Sequence, residues 1–521
     1  MIDVSLSGLS SLSRPYLAIR KGASGYVAEG MPRVELGHRV GRNNGESFDG
    51  IFAYWAWDGG RFVVENDRYG IYPVFYCSWG GEFWISPSIQ HVLKGNFPKN
   101  LDMSGLAVFL RMGLFLDEDT PFEHIKALPP GARLTWQDGQ ISLQRGSREP
   151  GNPPPDMATS FDETVDQYQA LFQQALERRP PPPGGYDIAL SAGRDSRHIL
   201  FELLRQGHRP NRSVTVQAPP PADDEDRSVA RQLAAESGVP HDEINYHASY
   251  LEAALKDMEL TELCATSHIW LAPLAGYFRM RDTRCIYDGL AGGVLSGGQL
   301  VSSGKLELLR QGKTRKLAER LLGASGNEEF IKSAYRPKFV AQIRREEAVE
   351  RLAKELERHQ DFPSPLVSFI FWNRTRRYIS LLPFGLLGDV ETIYCPYLDH
   401  DLFDFLINVP PEHSMRKSFH DETIKRHYPK YAHIPFEAPD ATPPSRKEFN
   451  RYYRKAARET LLHLARSPQL ARSDLVKTGR FAAMLMRSAL QRNPGSLWYL
   501  QPLLRRLETE RLIRESGGDA W

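Results

Sequence analysis

The sequence predicts an α/β protein of two modules, a β-rich module over residues 1–150 and a parallel-sheet α/β module over 151–521 that ends in a helical region. Three observations predict it. Short aromatic and β-branched runs separated by Gly and Asp-Gly turns fill the first part of the chain, the pattern of antiparallel hairpins. In the second part, amphipathic helical stretches alternate with short apolar runs, as a parallel sheet with crossover helices requires. Between them, residues 150–155 are rich in Pro and Gly and read as a linker.

In the first module, residues 50–57, 61–64, 74–77 and 82–86 read as strands, punctuated by Asp58-Gly-Gly60, Gly70 and Gly80-Gly81. A helix follows over 104–111 with Ser104 as its N-cap, then a strand pair turning at Asp138-Gly139. In the second module, residues 161–178 place Val165, Tyr168, Leu171, Phe172 and Ala175 on one helical face, opened by the capping box Ser160/Glu163. The prolines at 180–183 stop that helix. A helix over 197–206, a strand over 213–216 and a helix over 226–236 come next. Beyond Ser445, Arg451, Arg454, Lys455 and Arg458 recur beside Leu461, Leu462 and Leu464 at helical spacing. That is a solvated basic face, or a dock for an acidic leader peptide or carrier.

The chemistry concentrates between the prolines and the helix over 197–206. Ile188, Ala189 and Leu190 form a buried strand, Ser191, Ala192 and Gly193 a turn of small residues, and Arg194, Asp195 and Ser196 open a helix. A turn feeding a helix start presents backbone N–H groups to an anion such as phosphate. Asp195 is the odd residue there, because a carboxylate facing phosphate needs a bridging cation, and Mg²⁺ takes one or two carboxylates together with phosphate oxygens. The spacing is neither Gly-x-x-x-x-Gly-Lys-Ser/Thr nor Gly-x-Gly-x-x-Gly. In an open parallel sheet the ligand lies outside the strand C-termini, so Val214 and Val216 would flank a purine while Ser191, Ala192, Gly193, Arg194, Asp195 and Ser196 hold phosphate.

Composition excludes several classes. Of 521 residues 41% are hydrophobic and 25% charged, and 66 Lys plus Arg against 64 Asp plus Glu leave +2. Neither nucleic acid nor an acidic surface is asked for. Cys77, Cys264, Cys285 and Cys395 form no Cys-x-x-Cys pair, which argues against structural zinc or a disulfide framework and for reduced thiols in a cytoplasm. No run of about 18 apolar residues and no charged start followed by an apolar core occurs, so neither membrane span nor signal peptide is expected.

The segment 186–200 resembles the Ser-Gly-Gly-x-Asp-Ser pyrophosphate loop of the ATP pyrophosphatases, in particular that of the asparagine synthetase family. Residues 48–57, 66–76 and Leu128-Pro-Pro-Gly131 are similar to successive signatures of the class II glutamine amidotransferase domain that precedes the synthetase domain in that family. The resemblance implies an Ntn-hydrolase-like αββα first module and an ATP-pyrophosphatase second module of the adenine nucleotide alpha hydrolase type. It also implies a nucleophilic Cys directly after the initiator Met, whereas this chain reads Met1-Ile2-Asp3 and has no cysteine before Cys77. Ser5 would need proteolytic exposure to act, and Cys77 reads as a small buried hydrophobe. The glutaminase half is expected to be inactive.

Residues 287–298 are similar to the family's Ser-Gly-Glu-Gly-Ala-Asp-Glu-x-x-Gly-Gly segment, and residues 395–406 to its Pro-Phe-Leu-Asp signature. Leu290, Gly293 and Val294 stand where the resemblance puts acids, leaving Asp288 beside Gly289. Asp226 matches an acidic position at a helix start, and Glu422 falls where a phosphate-contacting lysine is expected, with Lys417 or Lys425 as substitutes. The implied activity is an AMP- and pyrophosphate-forming ligase using ATP and Mg²⁺, with Asp195, Asp288 and Lys417 catalytic, Asp195 the metal ligand, Gly289 at the nucleotide and Arg194 or Arg197 balancing charge. A small-molecule or peptide carboxylate would be joined to an amine, as in the β-lactam synthetases and lasso-peptide cyclases of the family, with a precursor peptide and a protease as partners. Asparagine synthesis from aspartate, and a nucleotide-binding scaffold without turnover, are the alternatives.

Overall fold

The structure is a computed structural model that describes the chain except for residues 24, 42–47, 149–156, 158–159, 220–224, 267, 299, 326–327, 415–417, 437–444, 496 and 519–521. The proline-rich stretch read as a linker lies outside the described residues, as does Lys417.

Ten strands build the first module: β1 (Leu17–Gly22), β2 (Gly25–Gly30), β3 (Arg33–Gly41), β4 (Phe48–Trp57), β5 (Arg61–Asn66), β6 (Phe75–Trp79), β7 (Glu82–Ser86), β8 (Lys126–Ala127), β9 (Arg133–Gln137) and β10 (Gln140–Gln144). They form two antiparallel sheets, β2-β1-β7-β6-β8 and β10-β9-β5-β4-β3. Alternate residues fill the space between them, among them Leu17 and Ile19, Ala53 and Trp55, Phe62 and Val64, Phe83 and Ile85, Leu134 and Trp136. That period of two is the reason these runs are strands and not helices. The helix Met103–Met112 is capped by Asp102, whose Oδ1 accepts from Gly105 N–H at 2.8 Å, and not by Ser104 as the sequence suggested. Asp102 wins because the chain is already extended there (φ −77°, ψ 90°), as an N-cap must be.

The second module carries a parallel sheet of β11 (Asp187–Ala189), β12 (Arg212–Val216), β13 (His241–Ile244), β14 (Cys285–Tyr287) and β15 (Thr392–Tyr394), in the order β13-β12-β11-β14-β15. The strand order reverses between β11 and β14, which opens a crevice at their C-terminal ends. Helices cover the sheet; Phe161–Glu177 begins at the expected box, Ser160 Oγ accepting from Glu163 N–H at 3.3 Å and donating to the Glu163 carboxylate at 2.7 Å. The C-terminal region is helical over Arg446–Arg466, Thr478–Leu490 and Leu500–Glu515.

The first residues of the chain run along the second module. Ile2 N–H donates to Glu243 O at 2.8 Å and Ile2 O accepts from Asn245 N–H at 2.9 Å, so Ile2 extends the parallel sheet beyond β13. Leu6 and Leu9 are buried in the shared core.

Arginines stitch the modules together. Arg179 reaches Asp49 Oδ1 at 2.7 Å and Asp399 Oδ2 at 2.8 Å, all three buried, and Arg68 makes a two-pronged pair with Asp404. Arg14 joins Glu262 at 3.1 Å and donates to Leu260 O and Gly385 O. Burial nevertheless pushes Glu262 up to about 8 and Asp257 up to about 7. An acid whose folded pKa is raised keeps a proton that the unfolded chain has released, so stability falls as pH rises from the ordinary carboxyl range to the folded value. Melting temperature is therefore expected to drop by several degrees between about pH 5 and pH 8, and Glu262→Gln, which keeps an acceptor for Ile89 N–H, should flatten part of that drop. An unchanged pH profile in E262Q would refute the assignment.

Candidate functional site

A cavity of about 320 Å³ lies at the β11/β14 crevice. Its lining brings together Ser191, Gly193, Asp195 and Ser196 from the turn after β11, Asp288 and Gly289 from the loop after β14, and Arg374 and Thr375 from a helical wall. Six of the residues that the sequence assigns to the nucleotide, the metal or catalysis thus meet in one place. Ala192, Arg194, Val214 and Val216 are not among its lining residues, and the two valines are buried in β12.

The turn after β11 is stabilised from within. Ala192 N–H donates to Asp226 Oδ1 at 3.1 Å and Gly193 N–H to Ser191 Oγ at 3.0 Å. Asp226 thereby shows what this backbone binds, since a carboxylate oxygen already occupies one of its donors. Gly193 is the N-cap of the helix Arg194–Arg205 and has no side chain to occupy the first-turn N–H groups at the positive end of the dipole.

Asp195 Oδ2 accepts from Gly293 N–H at 3.0 Å. The position where the resemblance implied an acid therefore supplies a backbone donor to the remaining one. Two glycines allow this approach: a Cβ on Gly289 would stand 2.5 Å from Asp195 Cβ, and one on Gly292 would stand 2.7 Å from its Cγ and Oδ1. Gly292→Ala is accordingly expected to displace Asp195 and to lower the melting temperature by several degrees, read by scanning calorimetry against the wild type.

Below Asp195 lies a buried polar chain. Gln169 Nε2 donates to Glu202 at 3.1 Å and to the Tyr428 hydroxyl at 2.8 Å, which turns its Oε1 toward His198 Nε2 at 3.1 Å. A carbonyl oxygen only accepts, so His198 Nε2 carries the hydrogen. Burial holds His198 far below its usual range and His420 at about 3, so both rings are neutral near pH 7. His198 Nδ1 then accepts from His420 Nε2 at 3.2 Å, and His420 Nδ1 is left as an acceptor, 3.0 Å from Ser296 Oγ and 3.6 Å from Asp195 Oδ1. His420 thus sends no hydrogen to Asp195. None of this chain was read from the sequence, where two histidines more than two hundred residues apart carry no spacing signal.

Asp288 Oδ1 accepts from Leu290 N–H at 2.8 Å, and burial pushes its carboxyl up to about 6. Mg²⁺ binds through one or two carboxylates plus phosphate oxygens. Asp195, whose histidine neighbour offers a lone pair, and Asp288 in the same cavity fit such an ion. Among the described residues no cluster of three or more His, Cys, Asp or Glu side chains could hold a metal without a ligand's help.

The arginines expected to balance phosphate charge are otherwise engaged. Arg194 makes a two-pronged pair with Asp421, and Arg197 is buried, donating to the carbonyls of Ala192, Gly193, Ile434 and Pro435. Lys425 is exposed with its Nζ 5.7 Å from the Phe436 ring centroid, outside the cavity lining. Asp399, from the Pro-Tyr-Leu-Asp run, caps the helix His400–Asn408 and clamps Arg178 and Arg179. Cys77 is buried in β6, where burial pushes its thiol up to about 12.

One family model falls on the first module. Residues 34–146 match the glutamine amidotransferase domain family. Asparagine synthetase [glutamine-hydrolyzing] 3 of Bacillus subtilis (strain 168) is 29% identical over 167 residues, 31% of this chain and 26% of the relative. The match spans about a quarter of that relative's length. A solved structure of the allosteric regulatory enzyme of purine biosynthesis aligns with 38% of this chain and 47% of its own at 11% identity and a TM-score of 0.14, too slight to bear on the fold. Among the described residues no helix is long and apolar enough to cross a membrane.

Proposed function

We propose that the protein is a cytoplasmic ATP-dependent amide ligase related to the asparagine synthetases, with an amidotransferase-like module over 1–150 and a synthetase-like module over 151–521. One carboxylate oxygen attacks the α-phosphorus of ATP, pyrophosphate leaves, and an amine then attacks the acyl carbon and expels AMP. The observation that carries this reading is the meeting of Asp195, the uncapped helix start and Asp288 in a single cavity at the sheet's switch point. The first-turn N–H groups with Ser191 and Ser196 hold pyrophosphate, and Asp195 with Asp288 holds Mg²⁺, which when bound neutralises phosphate charge.

Glutamine is not the nitrogen source in this reading. The interior between the two antiparallel sheets is packed with Trp55, Trp136, Phe62 and Phe83, and Cys77 is buried in β6 with its thiol pushed up by burial. The amine would come from the substrate itself or from solution, and an internal ring closure on a precursor peptide, with a protease as partner, is the specific form proposed. ATP–pyrophosphate exchange and AMP release, assayed with candidate carboxylates and peptides, test it, alongside glutamine hydrolysis, which should be absent. A nucleotide-binding scaffold is favoured by one observation, the internal occupation of the Ala192 donor by Asp226. Nucleotide binding with no exchange against any carboxylate would select that reading.

A further inference from the structure

We propose that Arg374 and Thr375 form an oxyanion subsite in the wall of the cavity, taking over the charge balance that Arg194 and Arg197 cannot supply. This rests on the ligase reading above and names the residues that would hold its anion. The wall is the π-helix Ile370–Thr375, followed closely by a second, Leu382–Leu386. π-turns are rare and are found frequently at functional sites.

Every neighbouring arginine has partners. Arg376 donates to Asp117 O at 3.0 Å and Leu128 O at 2.8 Å, Arg377 donates to Asp119 O, and Asn373 Oδ1 accepts from Asp117 N–H at 3.2 Å. The wall is therefore held by the loop 117–128 of the first module. Arg374 differs. Among the described residues its side chain has no carboxylate and no hydrogen-bond partner; its charge neighbours are the Tyr378 ring, 5.9 Å away, and His268, whose imidazole burial and then this guanidinium push below the usual range. It is half-buried and lines the same cavity as Asp195 and Asp288, and burial pushes its guanidinium down. Beside it, the Thr375 hydroxyl oxygen is buried with no hydrogen-bond partner. The buried, unsatisfied hydroxyl costs folding free energy unless a partner completes it, and the half-buried guanidinium beside it, paired with no carboxylate, is free to meet a ligand in the cavity. A guanidinium's matching partner is a planar or tetrahedral oxyanion. Two sources share that chemistry, a phosphoryl group of the nucleotide and the carboxylate to be activated.

Calorimetric titration of the full chain with Mg²⁺–pyrophosphate, Mg²⁺–ATP and succinate, for the wild type and for Arg374→Gln, Arg374→Lys and Thr375→Val, tests this. R374Q should weaken one class of anion by about ten- to a hundredfold, the loss of a charge-assisted hydrogen bond. Weaker pyrophosphate and ATP with unchanged succinate assigns the phosphoryl source; weaker succinate alone assigns the carboxylate. R374K should recover part of the loss, as it keeps the charge without the fork. T375V should weaken the same anion severalfold while leaving the melting temperature unchanged or raised, an opposition that a purely structural role would not produce. Unaltered affinities in R374Q, with the wild type still binding ATP, overturn the subsite and leave the ligase reading standing. Failure of the wild type to bind ATP or pyrophosphate overturns both.

Discussion

Replacing Asp195 with asparagine is expected to reduce ATP–pyrophosphate exchange by about a thousandfold, about 4 kcal/mol of barrier, without changing the melting temperature. The asparagine carbonyl can still accept from Gly293 N–H, and it stands in the same volume against Gly289 and Gly292. Only the negative charge goes, and with it the stronger of the two proposed magnesium ligands. Asp288 alone is a poor substitute, since burial already disfavours its charged form. Exchange within about threefold of wild type would remove Asp195 from the chemistry, because a charge lost at a metal-bridged phosphate site costs far more than that.

The strand, small-residue turn and helix that present Asp195 were legible because all three are local: an apolar run, residues that permit close packing, and a helix start within ten positions. The same holds for the hairpins at 50–57, 61–64 and 82–86, whose turns carry Asp-Gly or Gly-Gly. β2 and β3 escaped notice because they are polar and glycine-rich, with Gly25–Gly30 largely exposed and paired on one side only. The Ser104 cap was misread by two residues for want of the backbone angles that select Asp102. The site beyond the turn was hidden for another reason. His420 reaches Asp195, and Arg374 reaches the cavity, through tertiary placement alone, and a π-turn has no sequence period by which to find it. Asp49, Arg68 and Asp399 lie within segments that resemble family signatures, and the structure uses them to join the modules.

That junction gives the second large effect. Arg179→Met is expected to destabilise the protein by about 3–5 kcal/mol, because it strands charge that is already out of water. Asp399 would keep Arg178, at 3.1 Å and partly exposed, whereas Asp49 would keep no guanidinium, only backbone donors such as His400 N–H at 2.9 Å and the His400 ring at 3.9 Å. The Asp49→Asn change in the R179M background should therefore recover much of the loss, and a double-mutant cycle followed by urea denaturation measures the coupling. The clamp also touches the site. Tyr287, the last residue of β14, donates its hydroxyl to Arg179 O, and Asp288 follows it directly into the cavity. R179M should therefore lower exchange activity even at temperatures where it remains folded, and D49N/R179M should recover stability more fully than activity. A loss below about 1 kcal/mol would mean that water reaches Asp49 and that the first module is not locked to the second through this arginine.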